Sequence, residues 1–142
     1  MTGFLLDTKV LSEFSRTGEP DRHVDRWLKT TAEESLFVSV LTFAEIRRGI
    51  ELLPSGKRRA QLEEWREEIA ASFETRLLPV TQTVADQWAV LSAQAQRRGT
   101  PLATIDGLIA ATALDHDLLL ATRKPHMQRR NNPTFPQPSG KF

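Results

Sequence analysis

With 142 residues, 19 Lys and Arg against 18 Asp and Glu, and no cysteine, the chain is sized for one domain of near-neutral charge. Such a length buries about two-thirds of its unfolded surface without a staple, and the missing cysteine excludes a disulfide framework, a thiolate zinc site and a cysteine nucleophile. Charge is uneven: Arg123, Lys124, Arg129, Arg130 and Lys141 fall in a terminal segment without acids, a pattern that suits nucleic acid, an acidic partner or plain solvation.

The apolar run Phe4 to Leu6 reads as a strand. It is too short for a signal peptide or a membrane span, and a soluble cytoplasmic protein is expected. Asp7 follows, either as a helix cap or as a site residue at a strand's carboxyl end. A break at Thr17-Gly18-Glu19-Pro20 precedes a second helix with Val24, Trp27 and Leu28 inward. Leu36 to Leu41, mostly apolar and β-branched, suits a buried parallel strand. Thr42 is then expected to open a helix through Phe43, Ile46, Ile50 and Leu53, ended by Pro54-Ser55-Gly56.

Lys57 to Phe73 has the pattern of a long amphipathic helix with Leu62, Trp65, Ile69 and Phe73 inward. Leu77 to Val80 reads as a short strand that Pro79 ends or places at an edge. Thr83 to Arg98 is a further helix closing at Gly99. Thr104 to Leu114 follows as a helix apolar on every side, with a cap-capable Thr104 and with Asp106 in its first turn. Leu118 to Ala121 is the last strand. Strands alternating with helices imply an α/β domain over residues 1–122 with a parallel sheet covered on both faces, and residues 123–142 read as a basic, irregular tail.

Asp7, Glu45 and Asp106 share one context, at or just after the point where a strand or its loop leads into a helix. In an open parallel sheet such points lie along the carboxyl edge, where ligands bind. Each acid has a structural explanation: Asp7 as a cap, Glu45 as the return partner in a capping box Thr42-Phe43-Ala44-Glu45, and Asp106 as a partner of the helix dipole. Converging on one point, the three repel and call for a cation. Without Cys or a histidine cluster, their oxygens suit magnesium or manganese. Ser12 and Ser39 have no His nearby in sequence, and His23, His116 and His126 are scattered. Arg47, Arg48, Arg97, Arg98 and Arg123 are candidates for phosphate contacts, with exposed helix faces as the competing explanation. Asp86, Asp115 and Asp117 read as surface acids, and Trp27, Trp65 and Trp88 as core or dimer contacts.

Four blocks in order carry a resemblance: Phe4-Leu5-Leu6-Asp7-Thr8, Ser39 to Gly49, Asp106-Gly107-Leu108-Ile109-Ala110-Ala111-Thr112-Ala113, and Ala121-Thr122-Arg123. Together they resemble PIN-domain ribonucleases, and within these the VapC-type toxins of bacterial toxin–antitoxin pairs, including the FitB-like branch. The resemblance implies a three-layer α/β/α PIN-like domain with a central parallel sheet of four to five strands. It also implies a Mg2+- or Mn2+-dependent endoribonuclease, homodimeric and inhibited by a cognate antitoxin, with Asp7, Glu45 and Asp106 as catalytic metal ligands.

Two positions depart from the pattern. Lys9 stands where such proteins have Asn after Asp-Thr, and Lys124 where an Asn or Asp completes the site. A lysine among carboxylates competes with a metal, whereas one whose long stem turns outward meets an RNA phosphate instead. A catalytically weakened domain that binds RNA or antitoxin is therefore the alternative to an active nuclease. A receiver-like phosphoacceptor domain is disfavoured, because the acids come from three separate helix starts.

Overall fold

Burial alternates along very short strands. Leu5 and Leu120 pack to one face of a sheet with Ile109, Ala110 and Ala113, while Leu6, Val38 and Ala121 pack to the other with Val10, Phe43 and Ile50. A sheet apolar on both faces must be covered on both, and the helices divide accordingly. A computed structural model of the chain describes residues 3–15 and 22–122. Its elements in order are β1 (Phe4–Leu6), α1 (Thr8–Leu11), α2 (Arg22–Thr30), β2 (Leu36–Ser39), α3 (Val40–Glu51), α4 (Lys57–Ser72), β3 (Leu77–Leu78), α5 (Gln82–Arg97), α6 (Thr104–Asp115) and β4 (Leu119–Ala121).

The four strands form one parallel sheet in the order β3-β2-β1-β4, with Leu5 of β1 opposite Phe37 of β2 and Leu120 of β4. Helices α1 to α4 supply the core on one face, and α5 and α6 supply it on the other. The expected three-layer α/β/α architecture and its four strands are present. β3 lies at an edge and stops before Pro79, as a residue without an amide proton requires. The break at Thr17 to Pro20 and the tail from Arg123 onward lie outside the described residues.

Local boundaries correct the sequence in three places. β2 ends at Ser39, two residues before Leu41, because the Ser39 hydroxyl accepts the Leu41 N–H at 3.0 Å and caps α3 there. An apolar run reads alike as strand or as buried helix, and only the cap decides. The capping box Thr42 to Glu45 consequently does not form: Thr42 is already inside α3 and fully buried, and its hydroxyl has no partner among the described residues. Thr104 is the first residue of α6 and not its cap, a place taken by Ala103 without a side-chain bond.

Helix ends on the α5/α6 side follow one device. Thr100 N–H donates to the Ala95 carbonyl at 2.9 Å and Gly99 N–H to Gln96 at 3.0 Å, closing α5 around Gly99 at φ 75°. Asp117 does the same for α6 at φ 54°, with Leu118 N–H on Ala113 at 2.8 Å, so this acid ends a helix and turns the chain into β4. Gly107 permits α6 to approach α5: a Cβ there would stand 2.8 Å from Cδ1 and 3.0 Å from Nε1 of Trp88. Gly107→Ala is expected to destabilise by about 1–2 kcal/mol, overpacking outweighing the gain in helix propensity. Urea unfolding checks this, and an unchanged or raised midpoint would show that Trp88 yields freely.

Candidate active site

The chain runs outward from β1 to β2 and β3, then returns to lay β4 on the other side of β1. Sheet order therefore reverses between β1 and β4, which opens a crevice at their carboxyl ends. Asp7 leaves β1 at that point in extended conformation, its N–H donating to the Ala121 carbonyl at 3.1 Å. One carboxylate oxygen, Oδ1, accepts the Val10 N–H at 2.8 Å and caps α1, while Oδ2 accepts the hydroxyl of Thr122, which leaves β4. Asp7 is only 3% exposed. Its two proposed roles, cap and site residue, are thus compatible in one side chain, because each uses a different oxygen.

Thr8, the first residue of α1, donates its hydroxyl to Oε1 of Glu45. Glu45 reaches it from the second turn of α3, half-buried, so its position depends on α1 packing on α3 and not on a cap of its own helix. Asp106 is half-buried in the first turn of α6. Since α6 leads back to the parallel strand β4, its N-terminus lies toward the same sheet edge.

The bonds pair Asp7 with Thr122 and Glu45 with Thr8. Among the described residues no three His, Asp or Glu side chains are grouped so as to hold a metal ion. In donor chemistry the residues still fit a hard divalent cation, being carboxylate and hydroxyl oxygens throughout. Magnesium in particular is held by one or two carboxylates and completes its sphere with water and substrate phosphate.

The basic candidates separate. Arg47 forms an i,i+4 ion pair with Glu51 at 3.2 Å along the exposed side of α3, which is the structural explanation. Arg48 is exposed on the same helix, and Lys9 is exposed on α1. Arg123 and Lys124 lie outside the described residues. Arg97 and Arg98 are exposed at the end of α5. Of the surface acids, Asp86 and Asp117 are exposed, and Asp115 faces His116 at 3.7 Å.

Beside Thr8 and Glu45 opens a cleft of about 350 Å³ between α3 and α4. Ser12, Ile46, Arg58, Leu62 and Trp65 line it as well. The adjacent Arg59 is engaged otherwise, with Glu63 at 3.0 Å, Glu51 at 3.2 Å and the Leu53 carbonyl at 3.2 Å. Its hydrogen bond to Glu63, helped by the charge of Glu51, raises the guanidinium pKa above its ordinary value.

Sequence reasoning placed Thr8 and Thr122 in motifs without giving them work. The available signal was a hydroxyl residue directly after a strand or its carboxylate at each side of the crevice. Ser12 and Arg58 had no such signal, because the cleft exists only once α4 is folded onto α3.

Comparisons with known proteins agree in extent and in fold. A PIN domain family model matches residues 4–131. The VapC ribonuclease Y4jK of Sinorhizobium fredii is 39% identical over 120 residues, covering 84% of this chain and 85% of that protein. The toxin FitB of Neisseria gonorrhoeae is 41% identical over 120 residues, with 84% and 86% covered. The crystal structure of FitAcB from Neisseria gonorrhoeae superposes with a TM-score of 0.80 at 39% identity, covering 87% of this chain and 89% of that one. A DNA-bound VapBC structure from Salmonella typhimurium shares the fold with a TM-score of 0.73 at 20% identity. On the family match and on these relatives, the chain is a member of the PIN domain family.

Proposed function

We propose that this chain is a Mg2+- or Mn2+-dependent endoribonuclease, the toxin of a type II toxin–antitoxin pair. The observation that carries the reading is Asp7, buried at the β1/β4 crevice and accepting at both oxygens, in a chain similar to a VapC ribonuclease and to the toxin FitB. Asp7, Glu45 and Asp106 would hold the ion, and the chemistry it would supply is an activated water at neutral pH and neutralised charge on the phosphate.

The remaining work belongs to the chain's own side chains. Thr122 and Val10 N–H fix the orientation of Asp7, and Thr8 fixes Glu45, so neither carboxylate has to find its rotamer when RNA arrives. No side-chain nucleophile takes part. Lys9, exposed and outside any ion pair among the described residues, meets an RNA phosphate at the rim, with Arg48 and Arg123 as further phosphate contacts. Arg47, held by Glu51, contributes least.

The natural partner is a cognate antitoxin that covers the acidic edge and puts an Arg or Lys where the ion acts. The toxin pairs as a homodimer in the cytoplasm. No helix among the described residues is long and apolar enough to cross a membrane. Two observations favour a second reading, a weakened domain that binds RNA or antitoxin: no three acids form a metal group among the described residues, and Lys9 follows Asp7 by two residues in the chain.

Cleavage of a mixed RNA pool by the purified chain with Mg2+, Mn2+ or EDTA separates the two. Cutting with either ion, its loss in EDTA and its arrest by the antitoxin support the nuclease. Folded protein that binds RNA and never cuts it supports the binding module.

A further inference from the structure

The two neighbouring arginines of α4 differ in a way the proposed chemistry does not use. Arg59 is committed to Glu51, Glu63 and the Leu53 carbonyl, and so ties α4 to α3. Arg58 lines the cleft, is exposed and makes no hydrogen bond or ion pair among the described residues. The cleft it lines takes apolar side chains from Leu62 and Trp65 of α4 and polar groups from Thr8 and Glu45. At about 350 Å³ it falls in the size range of small-molecule sites, roughly 300–1,000 Å³. Trp65 also carries a buried indole N–H without an acceptor among the described residues.

A flat ring with polar edges suits such a slot between two helices, and an unpaired guanidinium at the rim suits the phosphate attached to it. Single-stranded RNA offers both in one nucleotide, with the base splayed from its neighbours. A peptide helix fits less well, since it needs a groove several turns long. Resting on the nuclease reading above, we propose that the α3/α4 cleft is a nucleobase subsite. It takes one base of a single-stranded RNA lying across the Asp7–Glu45 edge, with Arg58 on that nucleotide's phosphate. The subsite gives the enzyme base preference next to the bond it cuts.

Gly49 supplies the test, because it lines the cleft and a Cβ built on it meets nothing within 4 Å. Gly49→Phe therefore adds a ring at a lining position of the cleft where its Cβ displaces nothing. The full chain is titrated with the four nucleoside 5′-monophosphates and with ribose 5-phosphate, and amide and indole resonances are followed by NMR. The expected result is movement of the Trp65 indole and Gly49 amide signals by nucleotides, with one base bound most tightly. Ribose 5-phosphate should leave these signals in place.

Gly49→Phe should weaken nucleotide binding by about tenfold or more, and Arg58→Gln should weaken it and flatten its salt dependence. Equal shifts with ribose 5-phosphate, shifts away from the cleft, or unaltered binding by Gly49→Phe would overturn the subsite. So would a cleft that answers only to the antitoxin. Binding is read without catalysis, so the two readings fail separately. RNA cleavage without cleft shifts removes the subsite alone, and cleft shifts without cleavage remove the nuclease alone.

Discussion

Asp7→Asn is expected to lower RNA cleavage by about 10²–10³-fold while leaving the fold nearly as stable as before. Asn keeps the size of the side chain and one carbonyl oxygen, which continues to cap α1 by accepting the Val10 N–H. What is lost is the negative charge and the second acceptor. The Thr122 hydroxyl, which now donates to Asp7, would have to turn and accept from the amide. Asp7→Ala removes the cap and also the carboxylate that accepts the Thr122 hydroxyl, and should cost about 1 kcal/mol more in stability. Single-turnover cleavage, a Mg2+ titration and urea unfolding of both variants separate charge from cap. If Asp7→Asn cuts RNA at the parent rate, Asp7 is a helix cap and nothing more.

Leu5→Ala should destabilise the protein by about 2–5 kcal/mol, a large share of the 5–15 kcal/mol that holds a typical domain together. Leu5 is fully buried in an inner strand, packed against Ile109, Ala110 and Ala113 of α6 and beside Leu120 of β4. Its neighbours are hydrogen-bonded strands and a packed helix, so the cavity left by truncation has little freedom to collapse. Leu52→Ala is the control: with Leu52 70% exposed, its effect should stay within about 0.5 kcal/mol. Urea midpoints decide the comparison. A small loss at Leu5 would mean that α6 closes over the gap, and Asp106 at the head of α6 would then shift with it.

Asp7, Glu45 and Asp106 show how unevenly a candidate site is written in a chain. Asp7 was legible because it directly follows a strand, and every residue in that place lies at the sheet's carboxyl edge. For Glu45 the structural explanation fails: no capping box forms, and Thr8 from another helix donates to it instead. The hydroxyl of Thr122 lies 115 residues from the carboxylate it holds, and no local pattern announces such a bond. Arg47 and Arg48 looked equivalent in sequence, yet Glu51 one turn on claims Arg47.

By itself the sequence determined the order of the described elements, the parallel sheet and the identity of the buried faces. Those follow from periodicities of two and of about three and a half residues, which local chemistry writes directly. Four quoted blocks in register also carried the family. The tertiary structure alone decided where β2 gives way to α3, which hydroxyl holds which carboxylate, and that a cleft lined by Arg58 opens beside Glu45. The first rests on the Ser39 cap two residues from its partner, whereas the other two depend on segments distant in the chain being pressed together by burial of the apolar faces between them. A packing partner leaves no periodic signature in the residues it selects.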